Sequence, residues 1–369
     1  MSCLMKERNI NLDLIRCVAA IFVISVHFCL NSGFYELTCS GMRMLIMCIL
    51  RTAFITCVPL FLMLTGYLMN KKELTISYYK GIKRTYCIYV LVCICCLLFN
   101  VIYEKENMGI KKMILSILDF SADSYAWYIE MYIGLFLIIP FLNILWNNLN
   151  DVGRKWLIIT LLGLTALPSL LNCWDLLSLG DQTRVYSAIV PDYWETLYPI
   201  TYYFLGAYLK EETKKIFLLK ESIILLGLMI VFGLFNYYRS YDGTYEWIGY
   251  NSFWGVQAII ISVLIFRVLM AAPMIKAPNI VKKGILKISE LSLGIYLASA
   301  ISDKIIYPLM AEKVTDTVRR IDIFPVVVLS SFVIALIFAI LVNIVYILLA
   351  KAVQGLVKRC HQLEPMSDS

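Results

Sequence analysis

Ten stretches of this chain are apolar enough to lie in a lipid bilayer, and no other feature limits its fold as strongly. They fall near residues 10–30, 43–69, 84–103, 127–146, 155–172, 196–210, 217–236, 251–270, 289–310 and 323–350. A spanning helix needs about 20 mainly apolar residues, since lipid offers no partner for a backbone N–H or C=O. The sixth stretch is short and the second long. Composition points the same way: 60% of the 369 residues are apolar, 16% are charged, and the mean hydropathy is +0.77. A soluble domain carries about 45–50% apolar and about 25% charged residues. That excess cannot be hidden inside a water-soluble globule of this size. The expected fold is all-α: a polytopic membrane bundle of about ten helices. Disordered, collagen-like, coiled-coil and soluble dinucleotide-binding folds are excluded by the same composition.

Orientation follows from the basic residues. With the N-terminus inside, 21 of the 33 Lys and Arg fall in inside segments and 8 in outside loops. The other four, Arg16, Arg43, Arg51 and Lys304, lie in or near helices. Both termini are therefore expected in the cytoplasm. The net charge of +7 then reflects residues facing anionic lipid rather than nucleic acid. The first stretch is no signal peptide. It is too long for an h-region, contains Asp13, Arg16 and His27, and has no A-x-A site after it. A single domain is expected over 1–369, with the bundle in 10–350 and a short cytoplasmic tail in 351–369.

Twelve cysteines and two histidines form no metal framework. Cys93, Cys95 and Cys96 sit in the apolar run YCIYVLVCICCLLF without a His, Asp or Glu, and read as small packing residues. Cys3 and Cys360, at the termini, argue against a disulfide scaffold. The outside loops SLGDQTRVYSAIVPDYWETLYP and NYYRSYDGTYEWIGYN are rich in Tyr, Trp and Asp. An interfacial aromatic belt accounts for part of this; a surface that stacks on sugar rings would look the same.

His27 is the one histidine in an apolar stretch; His361 is in the tail. Ionisable groups inside a bilayer are expensive and mark functional sites by default. At 100° per residue, Asp13, Arg16 and His27 share a stripe about 60° wide on the first helix. Arg16 lies about 16 Å from His27 along the axis, towards the cytoplasm. Such a line suits a cytoplasmic acyl-CoA. Arg16 would hold a phosphate at the inner mouth, and the thin arm would bring its thioester to His27. A neutral imidazole there can take a proton from an acceptor hydroxyl. Asp13 and Arg16 would also make a plain i,i+3 interfacial pair.

The segment NLDLIRCVAAIFVISVH resembles the first helix of the acyltransferase type 3 family of integral-membrane O-acyltransferases. Arg16 and His27 fit that family's Arg-x10-His mark, and Asp13 its acidic residue three before the Arg. VPLFLMLTGYLM (58–69), AWYIEMYIGLFLIIP (126–140), YFLGAYL (203–209) and LSLGIYL (291–297) are similar to later family segments, in the same order. Thr65 stands where the family usually has Ser. Ala298 and Ser299 stand where many members have a His. Arg51 is eight residues before Pro59, whereas relatives often keep an Arg nearer the Pro.

The resemblance implies transfer of an acyl group, usually acetyl, from cytoplasmic acyl-CoA to a hydroxyl of an extracytoplasmic glycan or peptidoglycan-type precursor in a bacterial cytoplasmic membrane. No metal is implied. Supporting roles are expected from five further residues. Glu130, at a depth comparable to His27, would orient the imidazole or reach water as an interfacial residue. Arg51 or Lys304 would stabilise a developing oxyanion. Thr65 and Tyr67 flank Gly66 at the inner end of the second stretch, where a donor arm would pass. Asp303 points to a different helix face from Lys304. The rival expectation is a transporter or flippase for a small polar solute or lipid-linked sugar, with His27 and Arg16 relaying protons.

Overall fold

The computed structural model describes residues 8–174, 188–213 and 216–363, with side chains described as far as Gly355. Cys3, Lys6 and Arg184, the side chains of Cys360 and His361, and the end of the tail lie outside the described residues. Regular structure among the described residues is helical, apart from two isolated β-bridges. In chain order the α-helices are α1 (Ile10–Asn31), α2 (Gly41–Phe54), α3 (Cys57–Met69), α4 (Ile76–Lys80) and α5 (Ile82–Ile102). Next come α6 (Ile110–Leu118), α7 (Trp127–Asn148), α8 (Asp151–Thr165), α9 (Leu167–Leu171) and α10 (Tyr198–Glu211). The last five are α11 (Leu218–Arg239), α12 (Val256–Ala271), α13 (Asn279–Lys313), α14 (Thr317–Arg320) and α15 (Phe324–Leu363).

Among the described residues, eight helical segments are long and apolar enough to cross a membrane. The fifth and sixth apolar stretches of the sequence also become helices, but α8 and α10 have only 15 and 14 residues. At about 1.5 Å per residue α10 covers some 21 Å, short of the roughly 30 Å of a hydrocarbon core. It is packed inside the bundle: Thr201 to Ala207 are all buried.

The second stretch is one span made of two helices, α2 and α3, broken at Ile55 and Thr56. Pro59 explains the break. It has no N–H to give, and its ring would clash with the carbonyl of Ile55, four residues back. Thr56 is buried at the break and donates its hydroxyl to the Ala53 carbonyl at 2.6 Å.

Asn9 caps α1, its side chain accepting from the Asn11 N–H. The helix then runs through the middle of the bundle against α2, α3, α12, α13 and α15. Ile15, Ala19, Ala20, Ile24 and Phe28 on α1 are fully buried. By contrast α11 presents Ile223, Ile224, Leu226, Ile230, Val231 and Phe235 outward. A broad exposed apolar face of this kind is stable only in lipid. The polar stripe of α1 faces α13, and the site is built along that seam.

Candidate functional site

His27 is buried between α1 and α13, with only 5% of its surface exposed. Its Nδ1 lies 3.0 Å from the Asp303 Oδ2. The carboxylate can only accept, so it draws the imidazole proton to Nδ1 and leaves the lone pair on Nε2. The Ser299 Oγ is 3.3 Å from the same Nδ1 and donates its own proton to the Tyr296 carbonyl at 2.6 Å. Tyr296, Ser299 and Asp303 are spaced three and four residues apart, so one face of α13 presents all three to α1.

The Tyr125 ring stacks on the imidazole at 3.7 Å between centroids and 18° between planes. Its hydroxyl donates to Asp303 Oδ2 at 2.7 Å. Burial, then the Asp303 carboxylate, push the Tyr125 phenol above its ordinary value, so it stays protonated as that donor. Asn31, one turn beyond His27, donates to the Tyr125 hydroxyl at 3.4 Å. Upstream, Tyr125 N–H donates to Asp123 Oδ1 at 2.8 Å. Asp123 is buried, and its Oδ2 has no partner among the described residues. Burial, with the nearby Asp303, raises the Asp123 carboxyl to about 7 against the pull of Lys304.

At the other end of α1, Asp13 is 1% exposed and fully engaged. It accepts from Arg8 Nε and Nη2, each at 2.8 Å, from Arg16 Nη1 at 3.0 Å, and from Ser289 Oγ at 2.6 Å. Asp13 therefore fixes the Arg16 guanidinium, and its two oxygens are taken up by these four bonds. Arg16 lines a cavity of about 250 Å³ with Thr65, Tyr128, Tyr132, Ser292 and Tyr296. His27 lines another, of about 180 Å³, with Tyr125, Trp127, Trp247, Phe253 and Tyr296. Tyr296 is the shared wall: Arg16 opens onto one chamber and the imidazole onto the next. No hydrogen bond occupies Nε2 among the described residues.

The other expected site residues divide. Thr65 lines the Arg16 cavity, its hydroxyl donating to the Phe61 carbonyl at 2.9 Å. Tyr67 does not. Two residues along a helix are about 200° apart, so Tyr67 faces away and packs against Phe266, with Lys210 over its ring. Gly66 serves helix packing rather than a passing ligand: a Cβ there would stand 1.9 Å from the Tyr203 carbonyl oxygen. Glu130 is exposed and is not among the groups bonded to His27; Asp303 holds that place. Lys304 pairs with Glu104 at 2.7 Å and Asn100 at 2.9 Å. That leaves it on the α13 face away from the ring.

Arg51 is buried behind the outer cavity rather than in it. It donates to the Tyr35 hydroxyl at 2.7 Å, the Tyr245 hydroxyl at 2.9 Å and the Asn251 carbonyl at 3.0 Å. Trp247, which does line the cavity, packs on its guanidinium at 5.2 Å. Arg51 thus braces the aromatic wall.

Asp303 and Tyr125 are the two groups that sequence reasoning missed as partners of His27. A signal for Asp303 existed: a carboxylate inside an apolar stretch, four residues after Ser299 and so on its helix face. Tyr125 lies in a loop, where no periodicity points to it. A family model described as an acyltransferase domain, of the acyltransferase 3 type, matches residues 9–346. No curated protein and no solved structure matches the chain.

Proposed function

The chain belongs to the acyltransferase 3 family and is a multi-pass membrane acyltransferase, and from that premise we propose that it moves an acyl group, acetyl in the first instance, from cytoplasmic acyl-CoA to a hydroxyl of an extracytoplasmic glycan or cell-envelope precursor. The orientation rests on the basic residues: Arg16 faces the cytoplasm and His27 the outer part of a bacterial cytoplasmic membrane. The observation that carries the proposal is the pair of cavities meeting at Tyr296, one reached from Arg16 and the other holding His27.

In this reading the donor arm lies in the Arg16 cavity and its thioester reaches the imidazole. The acceptor hydroxyl comes from the opposite side, past Trp127, Trp247 and Phe253, whose rings suit a sugar face. His27 Nε2 takes the hydroxyl proton as the oxygen attacks the thioester carbonyl. The C–S bond breaks, and the imidazolium returns the proton to the departing thiolate. Asp303, with Tyr125 and Ser299 beside it, holds the tautomer and offsets the transient positive charge. The net products are the acyl ester of the acceptor and free CoA thiol, and His27 is left neutral.

His27→Ala, in membranes supplied with labelled acetyl-CoA and the native envelope glycan, is expected to lose about 10²-fold or more in transfer. Full retention would end the proposal.

A further inference from the structure

Beyond Arg16 lies a wider cleft of about 650 Å³, which Arg8, Arg16, Arg84, Lys287, Glu290 and Tyr346 help to line. Its charges are unevenly matched. Arg8 is bonded to Asp13 and Glu290, and Arg16 to Asp13. Arg84 on α5 and Lys287 on α13 are exposed and have no carboxylate partner among the described residues. The Arg84 guanidinium lies 5.9 Å from the centroid of the Tyr346 ring on α15. Two spare cations and an aromatic face in a concave wall suit a ligand that is both multiply anionic and planar.

We propose that this cleft seats the 3′-phosphorylated nucleotide of the donor, with Arg84 and Lys287 on the 3′-phosphate and Tyr346 against the purine. The proposal rests on acyl-CoA being the donor. Length supports it. The pantetheine arm is about fourteen bonds, and an extended chain covers ~3.5 Å per three bonds, so the arm spans ~16 Å. That matches the ~16 Å rise from Arg16 to His27. With the thioester at His27, the pyrophosphate falls at Arg16 and the nucleotide falls past it, into the cleft. The intervening cavity is mostly apolar, with Phe61, Leu64, Leu68 and Leu293 in its lining. At about 250 Å³ it suits the arm better than the charged nucleotide.

The test is calorimetric titration of the full-length protein in neutral detergent with CoA, dephospho-CoA and pantetheine. The expected result is that CoA binds at least about tenfold tighter than dephospho-CoA. Arg84→Ala with Lys287→Ala should erase that ratio and leave dephospho-CoA affinity unchanged, which also reports a folded protein. Arg84→Gln with Lys287→Gln, which keeps more of each side chain, should do the same. A wild-type ratio near one, or a ratio that survives both double variants, overturns the proposal while leaving the donor reading intact. So does displacement of bound phosphatidylglycerol by these variants with the CoA ratio unchanged, since the cleft would then hold a lipid phosphate. If none of the three probes binds, the donor reading itself fails, and the cleft proposal with it.

Discussion

One close contact decides what the His27 ring can do. The Asp303 carboxylate, 3.0 Å from Nδ1, commits the proton to that nitrogen and frees the other. Asp303→Asn keeps the shape but admits the opposite tautomer. It should lower kcat by about 10²-fold or more while leaving the dissociation constant for CoA nearly unchanged, read by turnover and titration side by side. Glu130→Gln should leave kcat within about twofold, because the side chain is exposed and away from the ring. Asp123 gives a prediction about pH. Burial raises its carboxyl from 3.8 to about 7. Below 3.8 both folded and unfolded chains hold the proton. Between there and about 7 only the fold keeps it, so stability falls as pH rises and then levels off above about 7. Melting temperatures across this range should show the slope, and Asp123→Asn should flatten it. The relation of Arg16 to His27 was legible because both lie on one helix, where residue spacing fixes the face. Asp303 and Tyr125 reach the ring from other segments, and helical spacing carries no information across chain gaps of this size. Glu130 matched in depth alone, which leaves the helix face undetermined.

Among the elements, α3 and α10 touch at backbone distance. A Cβ on Gly66 would meet the Tyr203 carbonyl oxygen at 1.9 Å, and one on Gly206 the Met63 carbonyl oxygen at 2.0 Å. The obstacle is backbone, which cannot swing aside as a side chain would. Gly66→Ala should therefore cost roughly 1–3 kcal/mol, measured as a lower melting temperature. Because Thr65 stands next to this contact and lines the Arg16 cavity, the proposed donor site, the same change should weaken CoA binding. The sequence showed where the long spans lie, since apolar length alone reports them. It did not show that α8 and α10 are shorter than the other long helices, since a short buried helix has the composition of a spanning one. Nor does hydropathy reveal the α2–α3 break, although Pro59 marks it once its lost N–H is considered. Ile55, Cys57 and Val58, at or beside that break, line the His27 cavity, so the interruption shapes the site.

For the molecule as a whole, the proposed route predicts sidedness. Inside-out vesicles should transfer label from added acetyl-CoA, and sealed right-side-out vesicles should not. Saturating CoA should raise the melting temperature; at a hundred times its dissociation constant, linkage gives about 2.7 kcal/mol. A sugar transporter would show no such shift.

Tyr296 gives the arrangement a further meaning for the cell. Its ring stands between the two chambers, and its hydroxyl is tied to the Tyr125 carbonyl. On the proposed route the bundle would act as an airlock, the acyl group changing hands at the partition between two separate cavities. An enzyme working this way can modify the envelope continuously without discharging the ion gradients on which the cell runs.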